Sequence, residues 1–177
     1  VLPLPDEDAE RQMYYDTKEC LSQAGFTRYE ISNYAREGYE CRHNKVYWQG
    51  GDYLGLGLGA SGKIGTVRTK HTEDLQAYIR RYGADQLQTK SRENGEETTM
   101  LSRQDRMEEF MFLGLRMMEG VSMRAFAEQF GSEMMDVYGD VIRRYTKMGL
   151  LEMAGDHLRL TDGGVDVSNV IMAEFLL

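Results

Sequence analysis

The side chains best suited to chemistry in this sequence fall within one short stretch: Cys41, His43, Tyr47 and Trp48. Cysteine and histidine are metal ligands, but two of them fall short of the ligand set of a structural zinc site. A heme iron needs only one axial ligand from the protein, and histidine or a cysteine thiolate can serve. The two aromatic rings would then form a flat apolar wall for a porphyrin, although aromatic residues are also ordinary core. A lone histidine is most often a surface or hydrogen-bonding residue, so the residues alone leave its role open.

Directly after this stretch, leucine and glycine alternate over residues 53–59. Period-two alternation predicts a strand, with the leucines on one face and Gly55, Gly57 and Gly59 on the other. Glycine weakens a strand, so a bare glycine face indicates the close approach of another backbone or of a ligand. We expect the leucine face to pack on a core and the glycine face to lie open to something flat. A tightly curved or bulged strand in a barrel is the alternative, and spacing does not decide between the two.

Two charged side chains lie on the strands predicted around this stretch. Residues 28–32 are strand-like and place Glu30 on the face opposite Tyr29. Arg68 falls in a second strand predicted over residues 64–70, and its planar fork suits a carboxylate or a propionate. A solvated arginine at the end of a strand is the plainer interpretation of the same residue.

The elements that must position these residues follow from caps and periodicity. Pro5 and the three acids after it predict the first turn of a helix, which Gly25 ends. Cys20 falls on the apolar face of that helix, so we expect it to be buried as a small hydrophobe. Residues 34–52 show no apolar periodicity and predict a long loop, of the kind that is usually functional or disordered. Helical spacing appears again over residues 75–82.

A polar segment, residues 86–100, has no apolar periodicity and is predicted to be a linker between residues 1–85 and 101–177. After it, caps and periodicity predict three helices, a short hairpin and a last helix, an order typical of a winged helix. Ser102 with Asp105 resembles a capping box for the first of these helices. The third helix is expected to be capped by Ser132 and to turn five side chains inward: Met135, Tyr138, Ile142, Tyr145 and Met148.

Charge argues against nucleic acid as a partner of this second part. Residues 101–177 hold 8 Lys and Arg against 13 Asp and Glu. Phosphate contacts supply most of the affinity for nucleic acid, so a domain this acidic is a poor candidate. We expect a packing or protein-interaction domain instead.

The composition of the whole chain narrows its class further. The 177 residues, 41% of them hydrophobic, can bury one core or two small ones, and the net charge of −8 is that of an ordinary acidic soluble protein. No run approaches the roughly 18 apolar residues of an integral membrane span. Two distant cysteines give no disulfide framework, so a cytoplasmic location is the default expectation.

Three motifs in this order also carry a resemblance to a known family: YEISNYA, then C-R-H-N-x-x-Y-W, then D-Y-L-G-L-G-x-G-A-S-G. They resemble the middle of radical-SAM proteins related to oxygen-independent coproporphyrinogen III oxidase. The H-N-x-x-Y-W loop is most similar to the HemW branch, which consists of heme chaperones. LPDEDAERQMYY upstream and EEFMFLGLRMMEGVS and LRLTDGGVDVSN downstream extend the resemblance over nearly the whole chain.

The resemblance implies an α+β fold in which residues 1–85 are the C-terminal remnant of a partial TIM-like (β/α) barrel and residues 101–177 a winged-helix-like domain. It implies that heme is the ligand and that a heme-acceptor protein is a partner. An incomplete barrel exposes strand edges, so a homodimer is also expected. His43 would bind the heme iron, with Asn44, Tyr47 and Trp48 around the porphyrin and Cys41 as an additional ligand. The ligand-facing set would be Glu30, Gly55, Gly57, Gly59 and Arg68.

One departure from the family bears on activity. The family holds a 4Fe-4S cluster in a C-x-x-x-C-x-x-C motif near its N-terminus, whereas this chain has only Cys20 and Cys41, far apart. The cluster and S-adenosylmethionine would therefore belong to the full-length parent alone. We expect no catalytic residue in these 177 residues and no enzymatic activity from them by themselves.

Three functions are compatible with these observations. The first is a heme-binding fragment of a radical-SAM heme chaperone, which the H-N-x-x-Y-W loop favours. The second is the C-terminal part of a true coproporphyrinogen III oxidase, which decarboxylates propionates by a SAM-derived radical. The third is a protein-docking fragment that binds no porphyrin and recognises partners through its acidic winged-helix-like domain.

Overall fold

A computed structural model describes residues 4–83 and 96–177 of the chain. The first range contains α1 (Glu7–Gln23), β1 (Thr27–Glu30), β2 (Asn33–Ala35), α2 (Arg42–Trp48), β3 (Ser61–Ile64), β4 (Val67–His71) and α3 (Leu75–Tyr82). The second contains β5 (Glu96–Met100), α4 (Arg103–Gly114), β6 (Val121–Ser122), α5 (Met123–Phe130), α6 (Met134–Lys147), β7 (Leu151–Ala154), β8 (His157–Leu160), α7 (Asp162–Asp166) and α8 (Ser168–Ala173). The mixture of helices and strands confirms the α+β class.

Helix α1 begins and ends where its caps predict, but its apolar face is not buried. The Asp6 carboxylate accepts a hydrogen bond from the backbone N–H of Ala9, and Gly25 leaves the helix with a φ of 79°. No residue of α1 is buried, and Cys20 is exposed, so the prediction of a buried Cys20 is wrong. The reason is that α1 contacts the rest of the protein through polar groups on its other side, such as Lys18, which pairs with Asp162 at 2.6 Å.

The strands form three small antiparallel sheets, in the orders β1-β2, β3-β4-β5 and β6-β8-β7. The single strand predicted over residues 64–70 is instead a hairpin, because the chain turns at Gly65 with a φ of 57°. β5 pairs with β4 along its full length, so the predicted linker is wrong over residues 96–100, and residues 84–95 lie outside the described part. Within that part no strands pair in parallel, so a barrel remnant is not confirmed.

The strand predicted over residues 53–59 does not form, because only Tyr53 makes a β-bridge, with Lys63, and the chain turns at Gly57 and Gly59 with φ values of 109° and 67°. Leu54 and Leu56 are 74% and 86% exposed, and Leu58 is also exposed. A Cβ added to Gly55 would lie 2.5 Å from the carbonyl carbon of Ser61, so Gly55 packs directly against the start of β3, whereas a Cβ added to Gly57 would meet nothing within 4 Å. The close approach that Gly55 permits is therefore one with the backbone of this same chain. The prediction that the leucines pack on a core is wrong.

The hydrophobic core lies in the second half of the chain. It joins α4, α5, α6 and α8 to the sheet β6-β8-β7, with a cluster of rings from Phe110, Phe126, Phe130, Tyr138 and Phe175 at its centre. Edge-to-face and tilted ring pairs of this kind add to the free energy gained by burying their area. The helices, the hairpin and the last helix follow each other in the predicted order.

The caps of these helices are mostly the predicted ones. Ser102 and Asp105 form a full capping box at α4, which confirms that prediction. Ser132 does not cap α6, because the helix begins at Met134 and the Ser132 hydroxyl accepts a hydrogen bond from Arg103 instead. This later start changes the buried face, so Met134 is buried, whereas two of the five predicted inward side chains are exposed: Met135 and Met148.

The first half is joined to this core through the backbone of β1. The N–H of Ile31 donates to the Arg116 carbonyl at 3.0 Å, and the N–H of Met118 donates to the Tyr29 carbonyl at 3.0 Å. Residues 29–31 thus pair with residues 116–118, which follow α4, in the manner of a short antiparallel strand. This pairing attaches the first half of the chain to the core.

Candidate functional site

The residues singled out by the sequence lie on a short helix, α2, within the stretch predicted to be a loop. The loop prediction for residues 34–52 is therefore wrong over β2 and α2. Cys41 occupies the N-cap position without a side-chain hydrogen bond, and Gly50 lies just past the helix end with a φ of 65°. With one weak cap and only two turns, α2 has little sequence signal of its own.

His43 is exposed on α2 and stands beside two aromatic rings. Its ring meets that of Tyr47 edge-on, with 4.7 Å between the ring centres, and the Tyr47 and Tyr53 rings lie 4.4 Å apart. His43 and Tyr47 are neighbours on the helix surface because they are four residues apart. The arrangement presents an accessible nitrogen ligand next to a small aromatic wall.

The other two polar residues of the motif take different positions. The Asn44 amide lies 3.5 Å from the Tyr29 hydroxyl, at the outer limit of a hydrogen bond. Cys41 is exposed. In the described residues no three His, Cys, Asp or Glu side chains come together as a metal site would need. His43 is therefore not part of such a group within the described ranges.

Trp48 faces away from His43 and toward the second half of the molecule. The Arg116 guanidinium lies 4.3 Å from the centre of its indole ring, and the same guanidinium is 3.6 Å from the Glu30 carboxylate. The stacking contributes a cation–π interaction between the two halves. Sequence reasoning missed Arg116, because nothing local marks a helix-end arginine as the partner of a distant tryptophan.

Glu30 is fully buried, so the structure does not place it toward a ligand. One carboxylate oxygen accepts hydrogen bonds from the backbone N–H of Ser32 at 2.8 Å and from the Asn33 amide at 2.5 Å. The second oxygen has no hydrogen-bond partner and lies nearest to Arg116. Glu30 therefore fixes Arg116, and through it Trp48, instead of facing outward.

Arg68 also has an internal partner. Its guanidinium pairs with the Glu109 carboxylate on α4 at 2.7 Å, across the boundary between the two halves. The carboxylate for which its fork is suited is therefore supplied by the chain itself. Gly55, which packs on Ser61, likewise turns toward protein backbone.

His71 has a structural role that the sequence did not indicate. Its Nε2 lies 3.0 Å from the Gly55 carbonyl oxygen and its Nδ1 2.9 Å from the Tyr82 hydroxyl. A carbonyl can only accept, so Nε2 is the donor to Gly55, while the hydroxyl of Tyr82 can donate to or accept from Nδ1. His71 thereby connects Gly55 to α3. The sequence signal for this contact was the spacing of Tyr78 and Tyr82, which are four residues apart on α3 and both contact the His71 ring.

A cleft of about 570 Å³ lies between α2, the β3-β4 hairpin and the second half of the chain. Its walls include Trp48, Lys63, Arg106, Phe110 and His157. A smaller cavity of about 250 Å³ adjoins it on the other side of Trp48 and Lys63, where Tyr47 and Tyr53 line it. The aromatic wall beside His43 is therefore continuous with a cleft that Lys63 lines.

Comparison with known proteins identifies the family. Residues 101–167 match the family model of the HemN C-terminal domain. The heme chaperone HemW of Lactococcus lactis is 33% identical over 177 residues, which are 100% of this chain and 45% of that protein. The chain belongs to the family of HemN and HemW proteins.

Further relatives agree with this assignment. The heme chaperone HemW of Bacillus subtilis is 34% identical over 178 residues, covering 99% of this chain and 45% of its own length. The mitochondrial radical S-adenosyl methionine domain-containing protein 1 of Mus musculus is 33% identical, covering 99% of this chain and 41% of its own length. The chain thus spans less than half the length of these curated relatives.

A solved structure shares the fold. It is that of coproporphyrinogen III oxidase (HemN) from Escherichia coli, described as a radical SAM enzyme. The two superimpose with a TM-score of 0.73 over 98% of this chain and 42% of that one, at 17% sequence identity. This likeness shows a common fold. Among residues 4–83 and 96–177, no helix has the length and apolar character needed to cross a membrane.

Proposed function

We propose that this chain is the heme-binding part of a HemW-like heme chaperone and that His43 is the axial ligand of the heme iron. The observation that carries this function is the exposed His43 ring beside Tyr47 and Tyr53 on α2. Histidine is a common protein ligand of heme iron. The aromatic rings would pack against the porphyrin edge and restrict water at the iron.

The remaining motif residues would support this complex from α2. Asn44 lies one position after His43, and Cys41, exposed two positions before it, would serve as the additional ligand. Trp48 would act differently, because its ring is stacked under Arg116 and holds α2 against the second half. Gly57 and Gly59 remain in the proposed ligand-facing set, beside the exposed leucines.

The residues present do not fit a 4Fe-4S cluster. Cys20 lies on α1 and Cys41 at the start of α2, and within the described ranges no third ligand joins either of them. Cluster and S-adenosylmethionine chemistry would thus belong to a longer parent protein. A coproporphyrinogen III oxidase parent is supported by the common fold and by the match of residues 101–167 to the HemN C-terminal domain, whereas the HemW relatives match in sequence over nearly the whole chain.

The proposal extends to the architecture and the partners. Residues 1–85 would complete a (β/α) barrel in the parent, and residues 101–177 would form a winged-helix-like domain that docks a heme-acceptor protein in the cytoplasm. The acidic charge of that domain speaks against nucleic acid as its partner. Sedimentation at high protein concentration tests the expected homodimer, which a purely monomeric profile would contradict.

A hemin titration followed at the Soret band tests the function. We expect saturable one-to-one binding by the wild type and loss of the band shift in His43→Ala. Tyr39→Phe changes a side chain that is 83% exposed and lies outside the H-N-x-x-Y-W motif and both cavities, so it is the matched control and should bind like the wild type. Equal weak binding by all three proteins would remove His43 as the ligand and favour a docking fragment without porphyrin.

A further inference from the structure

Lys63 is a charged side chain that is buried without a counterion. It is 9% exposed, and its Nζ donates to the Gly50 carbonyl at 2.7 Å. Among the residues that the structure describes, no carboxylate lies within ion-pairing distance of it. An ammonium group has three donors, and burying its charge is costly unless an anion compensates it. The positive charge of Lys63 therefore lacks the compensating anion that a buried charge ordinarily has.

The cleft that Lys63 lines does contain carboxylates, but each has another partner. Asp52 accepts a hydrogen bond from the backbone N–H of Gly65 at 2.8 Å. Glu109 pairs with Arg68, and Glu119 lies 3.6 Å from His157. Arg106 adds a second positive charge to the wall and stacks over the Phe130 ring. The acids of the cleft are thus engaged elsewhere, while Lys63 is not neutralised.

The position of Lys63 connects this charge to both cavities. Lys63 and Trp48 line the 570 Å³ cleft as well as the 250 Å³ cavity, and the latter is also lined by Tyr47 and Tyr53. Backbone hydrogen bonds in both directions between Tyr53 and Lys63, each 2.8 Å long, hold the lysine next to the aromatic wall. An anionic group that reached Lys63 would lie against the indole ring and tyrosine rings.

We propose that Lys63 is the centre of an anion-binding subsite that holds a carboxylate group of a ligand. Two sources offer this chemistry: the propionate of a tetrapyrrole and a small free carboxylic acid. The tetrapyrrole source rests on the proposed function and would make Lys63 a specificity-determining residue for porphyrin acids. The subsite itself depends only on the uncompensated buried lysine and the space beside it.

Trp48 is the single tryptophan of the chain and lines both cavities, so its fluorescence reports on this subsite. The wild type is titrated with iron-free protoporphyrin IX, with its dimethyl ester and with succinate. We expect the diacid to quench Trp48 saturably and the ester to bind about tenfold more weakly, the effect of one charged hydrogen bond. Because no iron is present, binding here does not depend on His43 as a ligand.

Variants separate the subsite from general damage. Lys63→Met should weaken the diacid about tenfold and abolish the difference between diacid and ester, and Lys63→Arg should restore it. Lys70→Met changes an exposed lysine of the next strand and should bind like the wild type. If Lys63→Met does not fold, Lys63→Gln, which keeps a donor for the Gly50 carbonyl, takes its place in the same comparison.

The ligands also distinguish the sources. Quenching by succinate that requires Lys63, without porphyrin binding, would support the subsite with a small acid as its ligand. Equal affinity of the wild type for diacid and ester, together with no effect of succinate that depends on Lys63, would overturn the inference. Loss of hemin binding in His43→Ala with the diacid preference intact would show that subsite and iron ligand are separate.

Discussion

The two halves of the molecule are stabilised in different ways. Of the twenty buried hydrophobic side chains in the described residues, nineteen lie between Leu101 and Phe175, and Ala35 is the only one in the first half. The buried side chains that characterise residues 4–83 are charged: Glu30 and Lys63. No residue of α1, α2 or α3 is buried. The second half therefore has a core of its own, and the first half depends on polar contacts and on a few side chains, such as Tyr14 and Ile31, that pack against that core.

This difference indicates a division of labour. Residues 4–83 carry the H-N-x-x-Y-W helix and the lysine cavity, yet they are held to the core by β1, by Arg116 and by Asp162. Regions with few buried apolar contacts open with low free energy, and binding segments are commonly drawn from them. The proposed heme site thus lies on the less stable half, positioned by a stable one.

The largest effect is expected from truncating the core. Phe126→Ala removes a fully buried ring and should lower the free energy of unfolding by about 3–5 kcal/mol, measured by urea denaturation. Leu56→Ala is the matched control in the first half, where the side chain is 86% exposed and the expected change is below about 0.5 kcal/mol. Similar losses in both variants would contradict the difference between the halves.

A smaller effect is expected from Arg116→Met, which leaves the Glu30 carboxylate buried without its charged partner. We expect a loss of about 2–3 kcal/mol, together with faster proteolysis of residues 4–83 and a changed Trp48 emission. Arg143→Met removes an exposed ion pair within α6 and should change neither the rate of proteolysis nor the Trp48 emission, with little loss of stability. Unchanged proteolysis in Arg116→Met would mean that this contact does not hold the first half.

The Tyr138 hydroxyl is buried in the core without a hydrogen-bond partner, and burial raises its pKa to about 12. The folded state therefore keeps a proton that the unfolded state loses near its ordinary value of 10.0, so stability falls as the pH rises from 10 to 12. Tyr138→Phe should remove this fall and change stability at neutral pH by less than about 1 kcal/mol.

The control for this pH dependence is Tyr39→Phe, which changes a tyrosine that is 83% exposed. The slope of stability against pH in that variant should equal the wild-type slope. An alkaline slope that persists in Tyr138→Phe would assign the effect to another group.

The smallest effect is expected at the ion pair between α1 and α7. The hydrogen bond from Lys18, with Arg28 nearby, lowers the pKa of Asp162 below its ordinary value of 3.8. Its contribution is present above that value and is lost as the pH falls through the lowered pKa. Asp162→Asn should cost less than about 1 kcal/mol at neutral pH and reduce the acid sensitivity.

The readout that matters for Asp162→Asn is again the attachment of the first half. Proteolysis of residues 4–83 should accelerate slightly in this variant but not in Asp140→Asn, whose pair lies within α6. If proteolysis is accelerated in neither variant, the Asp162 ion pair does not hold the first half, and β1 and Arg116 attach it to the core.

Local signals explain what the sequence could predict. The helix ends at Asp6, Gly25 and Ser102 were predictable because caps act on neighbouring residues. The alternation over residues 53–59 was also visible, but it does not form a strand, because the glycines allow the chain to turn and the leucines between them are exposed. A short helix such as α2, with one weak cap, leaves too little pattern to distinguish it from a loop.

The sequence indicated which residues form the candidate site, but it did not indicate which of them are buried or which side chains they contact. His43 and Tyr47 come together because four residues on a helix bring them together, once α2 exists. The burial of Glu30 and Lys63 depends on partners distant in sequence, such as Arg116 and the cleft wall. Tertiary packing decides such burial, so no pattern within one segment indicates it.

Hydrogen exchange of the backbone amides, with and without hemin, tests the division of labour most directly. We expect residues 103–175 to exchange slowly in both states, and residues 42–63 to exchange fast alone and slowly with hemin. His43→Ala should show no such protection. Protection by hemin that is confined to residues 103–175, or equal protection of residues 42–63 in the variant, would contradict a heme site held by His43 on the less stable half.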